Sequence, residues 1–142
     1  MARSTKSLKP TDAELNILRV LWERGPSTVR DVQEALSRGK PTGYTTALKL
    51  MQIMAEKGLL RRDESNRAHV YRAAVPRART LRRLAKDMLD RAFEGSAVRL
   101  VLHALEAKDV SPKDIAKIRR LLGDYESQDR ERSLTDSERG KE

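Results

Sequence analysis

With 142 residues, 38% of them hydrophobic and 4% aromatic, the chain has room for one or two small domains with a modest core, and too few aromatic rings for a large aromatic-lined ligand pocket. A formal net charge of +9 and a pI near 10.2 point to polyanionic partners, nucleic acid ahead of an anionic membrane surface. There is no cysteine, which excludes disulfides, thiolate metal sites and a catalytic thiol.

The N-terminal string MARSTKSLKPTD lacks the apolar core of a signal peptide, and no apolar run approaches the roughly 18 residues of a membrane span. A soluble, cytoplasmic protein without membrane insertion is expected. Residues 1–7 are basic and polar and are expected to be flexible. PTDAELNILRVLWERG then reads as a helix. Thr11 and Glu14 match a capping box, Leu15, Leu18, Leu21 and Trp22 recur at helical spacing, and Gly25-Pro26 ends the run. STVRDVQEALSRG reads as a second, shorter helix, capped by Ser27 or Thr28, with Val29, Val32 and Leu36 facing inward.

The third helix lies in TGYTTALKLMQIMAEKG. Ala47, Leu50, Met51 and Met54 form its buried stripe, and Gly58 is suited to the left-handed position after the last turn. At about 100° per residue the opposite stripe is Thr45, Lys49, Gln52 and Glu56, flanked by Thr46 and Leu48. Beyond Gly58 the period changes. LLRRDESNRAHVYRAAV holds two short extended runs, about residues 59–63 and 68–74, around the turn-forming Glu64-Ser65-Asn66. Three helices and such a hairpin form a winged helix-turn-helix over residues 8–75. In that fold the second helix of the pair enters the DNA major groove. Lys49 suits guanine O6 or N7, and Gln52 suits adenine N6 and N7. Thr45 and Thr46 suit bases, phosphates or a thymine methyl, and Leu48 a thymine methyl. Arg61, Arg62, Arg67 and Arg72 on the wing suit phosphates, as does Tyr44, which could instead pack against the second helix. The same residues could equally be a solvated helix face and an ordinary charged hairpin.

Pro76 marks a boundary. Residues 76–125 carry three helical patterns. Leu81, Leu84, Ala85, Met88 and Ala92 lie on one face of the first, and the second, SAVRLVLHALEAKDV, is apolar over much of its circumference. The third is capped by Ser111 with Pro112 at its first position and carries Ile115, Ile118, Leu121 and Leu122. About 50 residues cannot bury that surface alone, so a second copy of the chain is expected to cover it. The expected homodimer interface is Leu84, Met88, Val98, Val101, Leu102, Leu105, Ile115, Ile118, Leu121 and Leu122. Residues 126–142 contain one leucine and no other large apolar residue, and a disordered charged tail is expected.

No nucleophile-elbow or phosphate-loop motif is present, and the two histidines, His69 and His103, fall in a wing strand and an apolar helix. No catalytic residue, metal or cofactor is expected. A winged helix used for protein–protein contact is the alternative to DNA binding.

The strings LKPTDAELNILRVLW, YTTALKLMQIMAEKGLL, HVYRAAV and VLHALEAKDVSPKDIAKIRRLL, in this order, resemble the penicillinase-repressor (BlaI/MecI/CopY-type) family of bacterial transcription regulators over about residues 7–123. The resemblance implies a mainly α protein, a winged helix-turn-helix followed by a three-helix dimerisation domain. It implies a dimeric repressor on a dyad-symmetric double-stranded DNA operator overlapping a promoter, controlling β-lactam-response genes. In the best-known members a membrane sensor-protease system leads to cleavage at an Asn-Phe bond in the dimerisation segment; the equivalent position here is His103-Ala104. Copper-sensing members carry a cysteine-rich motif, which this chain lacks.

Overall fold

The computed structural model describes residues 9–140. Six helices and three short strands follow in the order α1 (Asp12–Arg24), β1 (Ser27–Thr28), α2 (Val29–Ser37), α3 (Tyr44–Lys57), β2 (Leu60–Asp63), β3 (Val70–Ala73), α4 (Arg77–Ala92), α5 (Ala97–Ala107) and α6 (Pro112–Arg139). The fold is mainly α, a winged helix followed by a helical C-terminal part. The expectation of a flexible N-terminus at residues 1–7 falls outside the described residues. No helix among the described residues is long and apolar enough to cross a membrane.

Local chemistry sets the helix ends. The Thr11 hydroxyl accepts from the Glu14 N–H and the Glu14 carboxylate accepts from the Thr11 N–H, closing a capping box at α1. Thr28, not Ser27, caps α2, in a second reciprocal box with Asp31. Hydrogen bonds from the Thr28 backbone N–H and side chain hold the Asp31 carboxyl below its ordinary value. α3 ends at Gly58, whose φ of 86° is left-handed. The Gly58 N–H donates to Ala55 O at 3.2 Å and the Leu59 N–H to Met54 O at 2.9 Å, the pattern that satisfies the last free carbonyls of a helix. Glycine is needed here because a Cβ in that conformation costs about 1–2 kcal/mol.

α1, α2 and α3 pack around one core. Ile17, Leu18 and Leu21 from α1 meet Val29 and Val32 from α2 and Ala47, Met51 and Met54 from α3, and Leu59, just before β2, closes it with Leu60 and Tyr71 of the sheet. Burial of each such aliphatic side chain stabilises the fold by about 1.5–3 kcal/mol relative to exposure. Leu50 and Leu36, expected to face inward, are partly buried at the margin. Ile17 is fully buried although its position lies beside the leucine stripe.

The wing hairpin is β2 and β3, antiparallel, and the sheet has a third strand that the sequence did not announce. β1 pairs with β3, giving the order β1-β3-β2. Two residues of extended chain before a helix carry no periodic signal, so only their partner reveals them. The register Arg62↔Tyr71 and Arg61↔Arg72 puts Leu60, Arg62, Tyr71 and Ala73 on one face of the hairpin and Arg61, Asp63, Val70 and Arg72 on the other. The first face packs Leu60 and Tyr71 into the core.

Compactness divides the chain after Ala92, not at Pro76. α4 therefore belongs with the winged helix and not with the last two helices. Thr80 donates its N–H and hydroxyl to Pro76 O, and Lys9 forms an ion pair with Asp87. Pro10, Val75, Thr80 and Leu84 line one small cavity of about 240 Å³ beside this contact.

In the second unit, residues 93–142, Ser96 caps α5 and Ser111 caps α6 with Pro112 at its start, as the sequence indicates. α6 then corrects the expectation of a disordered tail from residue 126. It runs unbroken to Arg139. Low apolar content rules out a core for this stretch but not a helix. Residues 126–139 contain no proline or glycine, spacings such as Glu126 to Arg130 place opposite charges four apart, and extending an existing helix avoids the cost of nucleation. Neither α5 nor α6 has a single buried residue.

Candidate nucleic-acid interface

The side chains singled out on α3 and the wing fall on three surfaces. Tyr44, Leu48 and Gln52 of α3 join Thr28, Val29 and Arg30 at the start of α2, and Arg62, Arg67, Ala68, His69 and Tyr71 of the wing, around an open concavity of about 400 Å³. Thr45 and Lys49 are exposed on the outermost line of α3. Thr46 lies on the far flank, where it lines a separate groove with Leu50, Lys40, Thr42 and residues of α1. The outward face of α3 is thus split, with Leu48 and Gln52 toward the wing and Thr46 toward the α2–α3 turn. Tyr44 is about half exposed (48%), on the concave side.

The wing arginines divide by register. Arg62 stands on the face that carries Tyr71 and reaches the concavity, where it forms an ion pair with Glu64. Arg61 and Arg72 stand directly opposite each other on the other face, both exposed. Two like charges so placed destabilise the hairpin unless an anion joins them. Arg67, in the turn, contributes to the concavity. At the turn the Asp63 carboxylate accepts from the Ser65 N–H at 2.9 Å, and its hydrogen bonds with Ser65 hold it below its ordinary value.

Among the concavity residues that carry no binding role in the sequence reading are Arg30 and His69. Arg30 follows the N-cap of α2 closely, and in a helix-turn-helix the first helix of the pair crosses the nucleic-acid backbone. A basic residue in that first turn was the available signal. His69 had no such signal, because its placement depends on how the hairpin packs against α3.

The surface is held rigidly from behind. The Gln33 side chain and Ser37 hydroxyl both donate to Thr42 O, at 3.1 Å each, fixing the turn between α2 and α3. Trp22 Nε1 donates to Val75 O at 3.0 Å, pinning the exit from the wing to α1. Lys57, at the end of α3, donates to both carboxylate oxygens of Glu14.

The expected interface residues of the C-terminal half are solvent-facing. Of the large hydrophobic side chains that are exposed, Leu81 and Met88 lie on α4, and Val98, Val101, Leu102 and Leu105 on α5. Leu121, Leu122, Tyr125 and Leu134 lie on α6, which leaves Tyr44 as the one example among the described residues outside these helices. Leu84, Ile115 and Ile118 are partly covered. His103 and Ala104 lie in the middle of α5, with the His103 ring 5.8 Å from that of Phe93. No group of three or more potential metal ligands is found among the described residues.

Residues 10–124 match the sequence model of the penicillinase repressor family. The transcriptional regulator BlaI of Mycobacterium tuberculosis is 33% identical over 118 residues, 82% of this chain and 84% of that protein. The penicillinase repressor of Bacillus licheniformis is 22% identical over 121 residues, 85% of this chain and 94% of that protein. Among solved structures, that of the B. licheniformis BlaI monomeric form in complex with the blaP half-operator is similar at 23% identity and a TM-score of 0.43, covering 49% of this chain and 84% of that one.

Proposed function

Because the chain belongs to the penicillinase repressor family, we propose that it is a dimeric transcriptional repressor of the cytoplasm that binds a dyad-symmetric DNA operator. One observation carries the DNA-binding part. Gln52 and Leu48 of α3, Arg30 of α2 and Arg62 and Arg67 of the wing surround a single open concavity. Base-edge chemistry on one helix, bordered by guanidinium groups from two other elements, is the division of labour that double-stranded DNA requires. Bases are read in the groove, and phosphates fix the register. Lys49 and Thr45 extend the reading edge, and Arg61 and Arg72 offer paired cations to a neighbouring phosphate.

Dimerisation is supported by the exposed side chains of α5 and α6. A monomer would leave Val98 at 79% exposure and Leu122 at 60% with nothing to cover them. A second copy, related by a two-fold axis, covers the same faces on both chains and places two α3 helices for two half-sites. Release by a membrane sensor-protease would have to act at His103-Ala104, inside α5, which a protease reaches only after the helix opens locally. β-Lactam-response genes are the targets that the family relationship suggests.

Selection of bound duplexes from a random pool tests this reading. The expected product is an inverted repeat whose half-sites lie one or more helical turns apart, with affinity falling steeply with salt. Recovery of no preferred sequence would remove the reading.

A further inference from the structure

We propose that His69 couples DNA binding to proton uptake, so that mild acidification tightens the complex. The inference rests on the concavity being the DNA-facing surface and goes beyond it by assigning a role to one residue there.

The chain has two histidines and no cysteine, so few side chains can change charge near neutrality. His103 lies on α5 in the other unit, beside Phe93. His69 is exposed, immediately before β3, and lines the concavity. The groups that face it there are Arg30 from α2, Tyr44 from α3, Arg62 from β2, Arg67 from the turn and Tyr71 from β3. No carboxylate is among these lining residues. Asp31 is engaged at the Thr28 cap and Glu64 with Arg62, and Asp63, paired with Val70 on the other face of the hairpin, accepts from the Ser65 N–H.

A phosphodiester bound in the concavity brings negative charge among three guanidinium groups and the His69 imidazole. Its oxygens neutralise the arginines and accept from the imidazolium, so the complex holds the proton more firmly than the free protein does. By linkage, a complex that binds more protons than its components becomes tighter as pH falls. An opposite charge at close range moves a titration by about 1–3 units, and an exposed site falls at the lower end, which corresponds to roughly three- to tenfold in affinity between about pH 8 and pH 6.

The experiment measures dissociation constants for the selected duplex at fixed ionic strength, at about pH 6, 7 and 8. It compares the wild type with His69→Gln, His69→Arg and His103→Gln, each first shown to melt like the wild type. The wild type and His103→Gln should bind roughly three- to tenfold tighter at the acid end. His69→Gln should be flat and weak, and His69→Arg flat and tight. A flat wild type that still prefers its duplex over a scrambled one overturns the inference, as does a slope that survives in His69→Gln. A wild type with no preference at any pH overturns the DNA-binding reading itself, and this inference with it.

Discussion

The Lys57 ammonium donates to both oxygens of the buried Glu14 carboxylate, at 3.1 and 3.0 Å, and so ties the last turn of α3 to the first turn of α1. Glu14 therefore does two jobs, closing its own helix cap and anchoring the helix proposed to read DNA. Burial pushes its carboxyl up, but the hydrogen bonds from Thr11 and from Lys57 outweigh burial and hold it below its ordinary value.

Glu14→Gln should lower stability by about 1–2 kcal/mol in chemical unfolding, the charge-assisted bonds being weakened and Lys57 partly screened by water. The sign with pH follows from the lowered titration. The carboxylate contributes fully above the unfolded-state value, and its contribution is lost as pH falls through the lower folded-state value. Wild-type stability should thus drop below roughly pH 4.5, and the variant should lose less over that range. Equal acid sensitivity in both proteins would contradict the assignment.

On α3, Gln52→Ala and Lys49→Ala should each cost about 1–3 kcal/mol at particular base pairs of the operator. Thr46→Ala should cost less, because Thr46 lines the opposite groove. Binding measured on a panel of single-base operator variants separates these effects. If Thr46→Ala altered base preference more than Gln52→Ala did, the reading edge of α3 would lie on its other flank.

Across the hairpin, Arg61→Ala should remove the cation pair with Arg72. Hairpin stability should hold or rise by about 0.2–1 kcal/mol, while DNA affinity falls for all sequences alike. The salt dependence of binding should lose about one unit of slope. A loss confined to one base pair would place Arg61 in the groove instead.

Leu102→Glu together with Leu122→Glu should abolish the proposed self-association without loss of the winged helix. Both residues are more than half exposed within the chain, and neither touches the core around Ile17 and Met51. Sedimentation velocity reports the association state, and the melting of the winged unit should not move. A double variant that remained dimeric would place the interface elsewhere.

Removal of residues 126–142 should lower the far-ultraviolet helical signal and leave the melting of the rest unchanged. All of 126–139 is helical and exposed. A coil-like tail in solution would appear as no loss of helical signal on truncation.

Short-range chemistry was legible from the chain. The Thr11–Glu14 box, the Ala47, Met51 and Met54 stripe, the left-handed Gly58 and the Ser111-Pro112 start of α6 all follow from residues within about two turns of one another. The six helices and the hairpin were readable for that reason. The tail departs from its composition because a lack of apolar residues excludes a core but not a helix, two conditions that differ when a helix is merely prolonged.

Sequence alone determined where helices begin and end and which side chains of α3 point outward, because capping and the 3.6-residue period act over neighbouring residues. Tertiary structure alone decided that Glu14 answers Lys57, that Trp22 holds Val75 and that β1 completes the sheet. It also decided that Arg30 and His69 stand with Gln52 around one concavity while Arg61 and Arg72 turn away from it. These relationships join residues 40 or more positions apart in most cases, and nothing in the local pattern encodes them. They exist only when the helices pack and the strand register sets, because a shift of one residue in β2 would exchange the faces on which Arg61 and Arg62 stand.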